Sequence, residues 1–105
     1  MGNRAHFAVD TLDGCVVVRV EGDLDMATTA SFDETVVSTA SDLHLAIDLS
    51  ACTFLDSSGA RAIAAAANRH PRVSVVAADP GILRVLQITA LDTMLSVHSS
   101  LDELR

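Results

Sequence analysis

Leu43-His44-Leu45-Ala46-Ile47-Asp48-Leu49-Ser50 is a run in which Leu43, Leu45, Ile47 and Leu49 alternate with His44, Ala46, Asp48 and Ser50. Alternation with a period of two marks a half-buried strand. Residues 50–56 read as a loop after it, and residues 57–69 as the strongest helix of the chain. Alanine fills five of the six positions 62–67, and alanine is the best helix former. His70-Pro71 ends this helix, because the residue before a proline is disfavoured in helical backbone. A strand that hands over to a helix in this way builds a parallel sheet through crossovers.

Working outward, Phe7-Ala8-Val9-Asp10-Thr11 reads as a short strand and Asp13-Gly14 as a hairpin turn. Cys15-Val16-Val17-Val18-Arg19-Val20-Glu21 returns antiparallel, with Val16, Val18 and Val20 on one face, and Gly22-Asp23-Leu24-Asp25 closes it. Over residues 28–40 the period becomes helical: Thr29, Phe32, Val36 and Ala40 share a stripe. Downstream, Val73-Ser74-Val75-Val76-Ala77-Ala78 is a strand, and Asp79-Pro80-Gly81 opens a helix over 82–88, with proline near its first position. A short strand at 94–97 and a stub of helix at 101–105 complete the order β-β-α-β-α-β-α-β(-α). The fold class expected is α/β: a mixed, mostly parallel β-sheet with an N-terminal antiparallel hairpin strand at its edge and helices packed on it. At 105 residues, without repeats or a dividing linker, positions 1–105 form one domain.

The charge balance narrows the function. Seven arginines and no lysine stand against 14 acidic residues, a net charge of -7. Such a chain offers no basic surface for nucleic acid and is repelled by an anionic membrane. Without lysine there is neither a P-loop nucleotide site nor an internal aldimine with pyridoxal phosphate. No apolar run approaches a membrane span, and the start Met1-Gly2-Asn3-Arg4-Ala5-His6 is polar, so a cytoplasmic protein is expected. Cys15 and Cys52 form no CxxC pair and have no nearby pair of histidines, so no metal site is expected. They read as small buried hydrophobes that stay reduced, with a redox-sensing disulfide as the alternative.

In a parallel sheet, functional groups gather at the carboxyl ends of the strands. Three segments converge there: Gly22-Asp23-Leu24-Asp25, Phe54-Leu55-Asp56-Ser57-Ser58-Gly59 and Ala78-Asp79-Pro80-Gly81. Asp56 can cap the helix that Ser57 and Ser58 begin, and Gly59 keeps the turn free of bulk. These residues are also what a plain helix cap requires. The functional reading places a phosphoryl acceptor at the helix N-terminus, where free N–H groups and the dipole favour the phosphate and Asp23, Asp25 and Asp56 oppose it. Spacing alone does not choose between the two hydroxyls.

Val20-Glu21-Gly22-Asp23-Leu24-Asp25, Ala46-Ile47-Asp48-Leu49 and the block Phe54 to Gly59 resemble the STAS-domain anti-sigma factor antagonists of bacterial partner switching. The most specific element is Asp56-Ser57-Ser58-Gly59, which is similar to the family's Asp-Ser-Ser/Thr-Gly signature. The resemblance implies a single STAS domain in which Ser57 is phosphorylated by an anti-sigma factor that is itself a serine kinase. The dephosphorylated antagonist then binds that kinase and releases a sigma factor, and a PP2C-type phosphatase resets the cycle. Asp25 matches the acidic position of the first loop. Asp23, Asp25, Asp56, Ser58, Gly59 and Arg61 are the partner-binding residues expected, with no cofactor and no direct nucleic-acid contact. Ala60-Arg61 departs from the Leu-Gly pair that commonly follows the motif and puts a cation close to the acceptor. The turn at His70-Pro71 is shorter than usual, and the C-terminal helix is truncated at Arg105.

Two rival functions follow from the same residues. A non-phosphorylated STAS scaffold or ligand-sensing module uses the fold without the switch. An enzyme needs a nucleophile with an assigned base, and no Gly-x-Ser-x-Gly elbow is present. His6, His44, His70 and His98 are scattered, reading as surface or strand-face residues, so no catalytic residue is assigned.

Overall fold

Asp13 and Gly14 both take left-handed backbone, with φ of 51° and 77°, the geometry of a two-residue hairpin turn. They join strand β1 (Ala5–Leu12) to β2 (Cys15–Leu24), antiparallel from Ala5 opposite Gly22 to Leu12 opposite Cys15. The computed structural model describes residues 5–39 and 42–104. Ala40 on the expected helical stripe, the residues before Ala5, and Arg105 lie outside the described residues.

Then follow α1 (Thr29–Val37), β3 (His44–Leu55), α2 (Ser57–Ala67), β4 (Val73–Val76), α3 (Pro80–Ile88), α4 (Leu91–Met94) and β5 (Ser96–His98). A 3-10 turn at Leu101–Leu104 stands where the terminal stub of helix was expected. The five strands lie side by side in chain order, and β2 to β5 are parallel. The α/β class and the mixed sheet with its antiparallel first strand are those expected from the sequence.

Strands that advance one place at a time through right-handed crossovers set all their helices on one face. That face holds the main core, where Val18, Val20, Leu45, Ile47, Leu49 and Val75 meet Phe32 and Val36 of α1, Ile63 of α2 and Ile82 and Leu86 of α3. The buried alanines of α2 (Ala60, Ala62 and Ala66) allow that helix a close approach to the sheet. Phe7 meets Phe32 edge-on, centroids 5.9 Å apart, tying β1 to α1. The opposite face carries a small second cluster of Cys15, Val17 and Ala46, flanked by Leu12, Leu101 and Leu104. Its polar members are paired. The buried Asp48 carboxylate accepts from Arg19 Nε at 3.4 Å and from the Ser50 N–H at 2.9 Å, and His44 Nε2 lies 2.7 Å from Ser74 Oγ.

The first half of β3 is not half-buried as its alternation suggests: Leu45 to Leu49 are all buried, because the second cluster takes Ala46 and Asp48 is paired with Arg19. Four further expectations require correction. Residues 50–55 are not a loop: β3 continues through them because Gly22, Asp23 and Leu24 continue beside it in β2, pairing with Cys52, Phe54 and Leu55. The register shifts between Arg19 and Glu21 and between Gly22 and Asp23, and such irregularities break the period of two. Second, α3 begins at Pro80 itself, and β4 ends at Val76. Third, Ala90 takes left-handed backbone with φ of 61° and starts the extra turn α4, which removes Met94 from the expected strand and leaves β5 at Ser96–His98. Glycine or asparagine usually signals that conformation, and alanine does not. Fourth, His70 is neither on the surface nor on a strand: it is buried, with Nδ1 2.9 Å from the Leu43 carbonyl and Nε2 3.4 Å from Thr39 Oγ1.

Candidate functional site

Leu24 and Leu55 are the last register pair of β2 and β3, so the chain leaves the sheet at neighbouring points with Asp25 and Asp56. The Asp56 N–H reaches back to the Leu24 carbonyl at 3.4 Å. Asp56 is extended (φ -108°, ψ -174°), and its Oδ1 accepts the Gly59 N–H at 2.9 Å. Its carbonyl accepts from Ala60 N–H at 2.9 Å. This is the N-cap expected of Asp56, satisfying a first-turn donor that the helix itself leaves open.

Gly59 is buried in that first turn. A Cβ built there would run into the Leu24 carbonyl oxygen and stand 2.7 Å from Leu55 Cδ1. The glycine therefore lets α2 begin directly against the end of β2, and it shapes the surface from within.

The two hydroxyls part at this turn. Ser57 is exposed and borders a groove of about 260 Å³ between α2 and the α3–α4 junction, with Ala60, Ala64, Thr89, Leu91 and Met94 around it. Ser58 is half-buried and borders a second groove of about 300 Å³ on the α1 side, beside Met26, Thr29 and Asp33. Helix α2 is thus a ridge between two grooves, and Arg61 borders both.

The acidic residues are fixed by local bonds. Asp23 lies within β2, not in a loop, and its Oδ1 accepts from Thr53 Oγ1 at 2.7 Å. Asp25 Oδ1 accepts the Ala27 N–H at 3.0 Å. The buried Thr28 hydroxyl donates to the Asp23 carbonyl at 2.9 Å and accepts from the Asp25 N–H at 3.0 Å. On the third segment, the Asp79 carboxylate caps α3 through the N–H groups of Gly81 at 2.9 Å and Ile82 at 3.1 Å. The segments meet around Cys52. Burial pushes its thiol up; hydrogen bonds with the Phe54 and Leu24 backbone oppose this, and the charges of Asp23 and Asp79 raise it further.

All seven site residues expected from the sequence therefore stand at the α2 end of β2 and β3 or on the first turn and a half of α2. The sequence reading missed the role of Thr28, although an aspartate such as Asp25, which bonds the backbone two residues on, is a turn signal. It also missed the exposed apolar side chains that flank the serines, Met26 at 77% and Met94 at 61% exposure. Among the described residues no cluster of His, Cys, Asp and Glu could hold a metal ion, and no helix is long and apolar enough to cross a membrane.

The comparisons with known proteins agree with this architecture. The STAS domain family model matches residues 6–104. An anti-sigma factor antagonist from Mycobacterium paratuberculosis is 31% identical, with a TM-score of 0.88 over 95% of this chain and 90% of that one. An anti-sigma-factor antagonist (STAS) domain protein from Planctomyces limnophilus is 18% identical, with a TM-score of 0.78 over 93% of this chain and 92% of that one. The Bacillus cell fate determinant SpoIIAA in its phosphorylated form is 17% identical, with a TM-score of 0.68 over 95% of this chain and all of that one (100%). The two more distant structures share the fold. No curated protein matches the chain.

Proposed function

The chain belongs to the STAS domain family, and on that premise we propose that it is an anti-sigma factor antagonist switched by phosphorylation of Ser57. The observation that carries this reading is the exposed Ser57 on the first turn of α2, bordering one of the two grooves, on a helix whose cap residue Asp56 bonds back to Leu24 between Asp23 and Asp25. The unmodified protein offers a partner a neutral hydroxyl, with Asp23, Asp25, Ser58 and Arg61 around it. Asp56 and Gly59 hold that surface in shape. The protein acts by binding, not turnover, in the cytoplasm.

The partner is an anti-sigma factor with serine kinase activity. In its reaction Ser57 Oγ bonds to the γ-phosphorus of ATP, the bond to the β–γ bridging oxygen breaks, ADP leaves, and the hydroxyl proton passes to the kinase or solvent. The phosphate brings roughly -1.5 to -2 charges. Burying them unpaired at an interface costs several kcal/mol, about a thousandfold or more in affinity. The complex separates, and a PP2C-type phosphatase restores the hydroxyl by hydrolysis.

Incubation with the cognate anti-sigma kinase and ATP, followed by intact mass measurement, tests the proposal. A gain of one phosphate that is lost in Ser57→Ala is expected. A persistent absence of any gain would favour a scaffold role for the same fold.

A further inference from the structure

Ser57 and Ser58 are neighbours in sequence and face different surroundings. The Ser57 groove is floored by small and apolar side chains, and the only charged residue bordering it among the described residues is Arg61. The Ser58 groove has the same arginine on one side and the Asp33 carboxylate of α1 on the other. Arg61 makes no ion pair among the described residues, where the salt bridges are Arg19 with Asp48 and His98 with Glu103. It lies four residues after Ser57 and three after Ser58, and side chains three or four apart meet on a helix surface, so the grooves and not the spacing separate the two serines.

We propose that Arg61 is the internal counter-ion of a phosphate on Ser57, and that Asp33 makes the groove beside Ser58 the poorer place for the same charge. This deepens the functional reading above and rests on it. Arg61 can present two N–H groups to a phosphate in a geometry that suits its oxygens. On the Ser57 side nothing charged competes for that guanidinium. On the Ser58 side the carboxylate both repels the phosphate and draws the arginine away from it. Asp23, Asp25 and Asp56 stand at this end of the sheet and raise the second pKa of a phosphate on either serine; comparing each phosphate with its own Arg61 and Asp33 variants separates their effect from the one proposed. The pairing also gives the modified protein its own way of holding the added charge once a partner is gone.

The test needs no kinase. Phosphoserine is incorporated during translation at position 57 or at position 58, and the phosphate is titrated by its phosphorus-31 chemical shift around its second ionisation, near pH 6. The midpoint at position 57 should lie below that at position 58 by about 0.2–0.4 pH units, the size of an exposed ion pair between side chains four apart on a helix. Arg61→Gln should raise the midpoint at 57, and Arg61→Lys should restore part of the difference. Asp33→Asn should lower the midpoint at 58 and leave that at 57 in place. Equal midpoints in the unaltered protein, or a response to Arg61→Gln at position 58 alone, would overturn the inference. Failure of a kinase to modify Ser57 would instead count against the proposed function, so the two failures are distinguishable.

Discussion

The carbonyl oxygen of Leu24 stands where a methyl group on Gly59 would have to go. Both atoms that block the site, this oxygen and Leu55 Cδ1, belong to the paired ends of β2 and β3. A side chain at position 59 must therefore push α2 away from the sheet. In an unobstructed helix, Gly→Ala gains roughly 0.5–1 kcal/mol. Here the overlap should reverse that sign. Gly59→Ala is expected to lose about 1–3 kcal/mol, seen as a lower urea midpoint at an unchanged slope. A stabilised variant would show that α2 is free to shift.

Charge at Ser57 should decide binding without deciding folding. Ser57→Asp is expected to be folded and unable to bind the anti-sigma factor, whereas Ser57→Ala should bind constitutively. Ser58→Ala should still accept phosphate, more slowly. Tandem mass spectrometry that places the phosphate on Ser58, or tight binding by Ser57→Asp, would contradict the assignment.

Asp25 combines a charge with a local bond to the Ala27 N–H. Asp25→Asn keeps an acceptor there and removes the charge, so it isolates the electrostatic part. Binding to the anti-sigma factor should weaken several-fold, with the loss mainly in the association rate and reduced by salt. Charge reversal to arginine should weaken it further while the circular dichroism spectrum stays native. Unchanged affinity in both variants would move the interface away from this segment.

Burial pushes both thiols above the ordinary value of 9.0, so neither forms much thiolate in neutral solution. A disulfide reagent should modify Cys15 and Cys52 only on unfolding, and replacing both by alanine should preserve partner binding at some loss of packing. The folded state keeps thiol protons that the unfolded chain gives up. Stability from this source is therefore complete below 9.0 and falls as pH rises through the raised values. A bridge between the two would have to cross the sheet, since Cys15 belongs to the minor cluster and Cys52 to the main core.

His44 works in the opposite sense. Burial lowers its pKa below 6.5, and Arg72 and His98 add to the effect. The folded state therefore binds fewer protons than the unfolded chain, and this contribution is complete above 6.5 and lost as pH falls below it. Urea midpoints should drop between about pH 7 and pH 5, within the usual range of histidine titration. His44→Gln, which can still bond Ser74, should flatten that drop. An unchanged slope would assign the acid sensitivity to other groups.

The elements that were legible are those in which local pattern and tertiary role agree. Helix α2 declares itself through its alanines, the first half of β3 through its alternation, and the first turn through Asp13-Gly14. Asp56 reads as a cap because a cap needs only its own neighbours. The rest depended on contacts across the chain. Gly59 looked small for a local reason, whereas its actual neighbour is the backbone of Leu24, 35 positions earlier. The second half of β3 looked like a loop because Cys52 and Leu55 are buried three residues apart, a spacing foreign to an undistorted strand. The separation of the two serines into different grooves was beyond sequence reasoning, since it depends on what α1 and the α3–α4 junction place on either side of α2.

The strands lie in the sheet in the order in which they are made. Nucleotide-binding α/β sheets reverse their strand order, and the helices that diverge at the reversal open a crevice for a small molecule. Among the described residues the strand order never reverses, so the sheet offers no such switch point. Under the proposed function, the signal is then a mark written on the outer wall and read by touch.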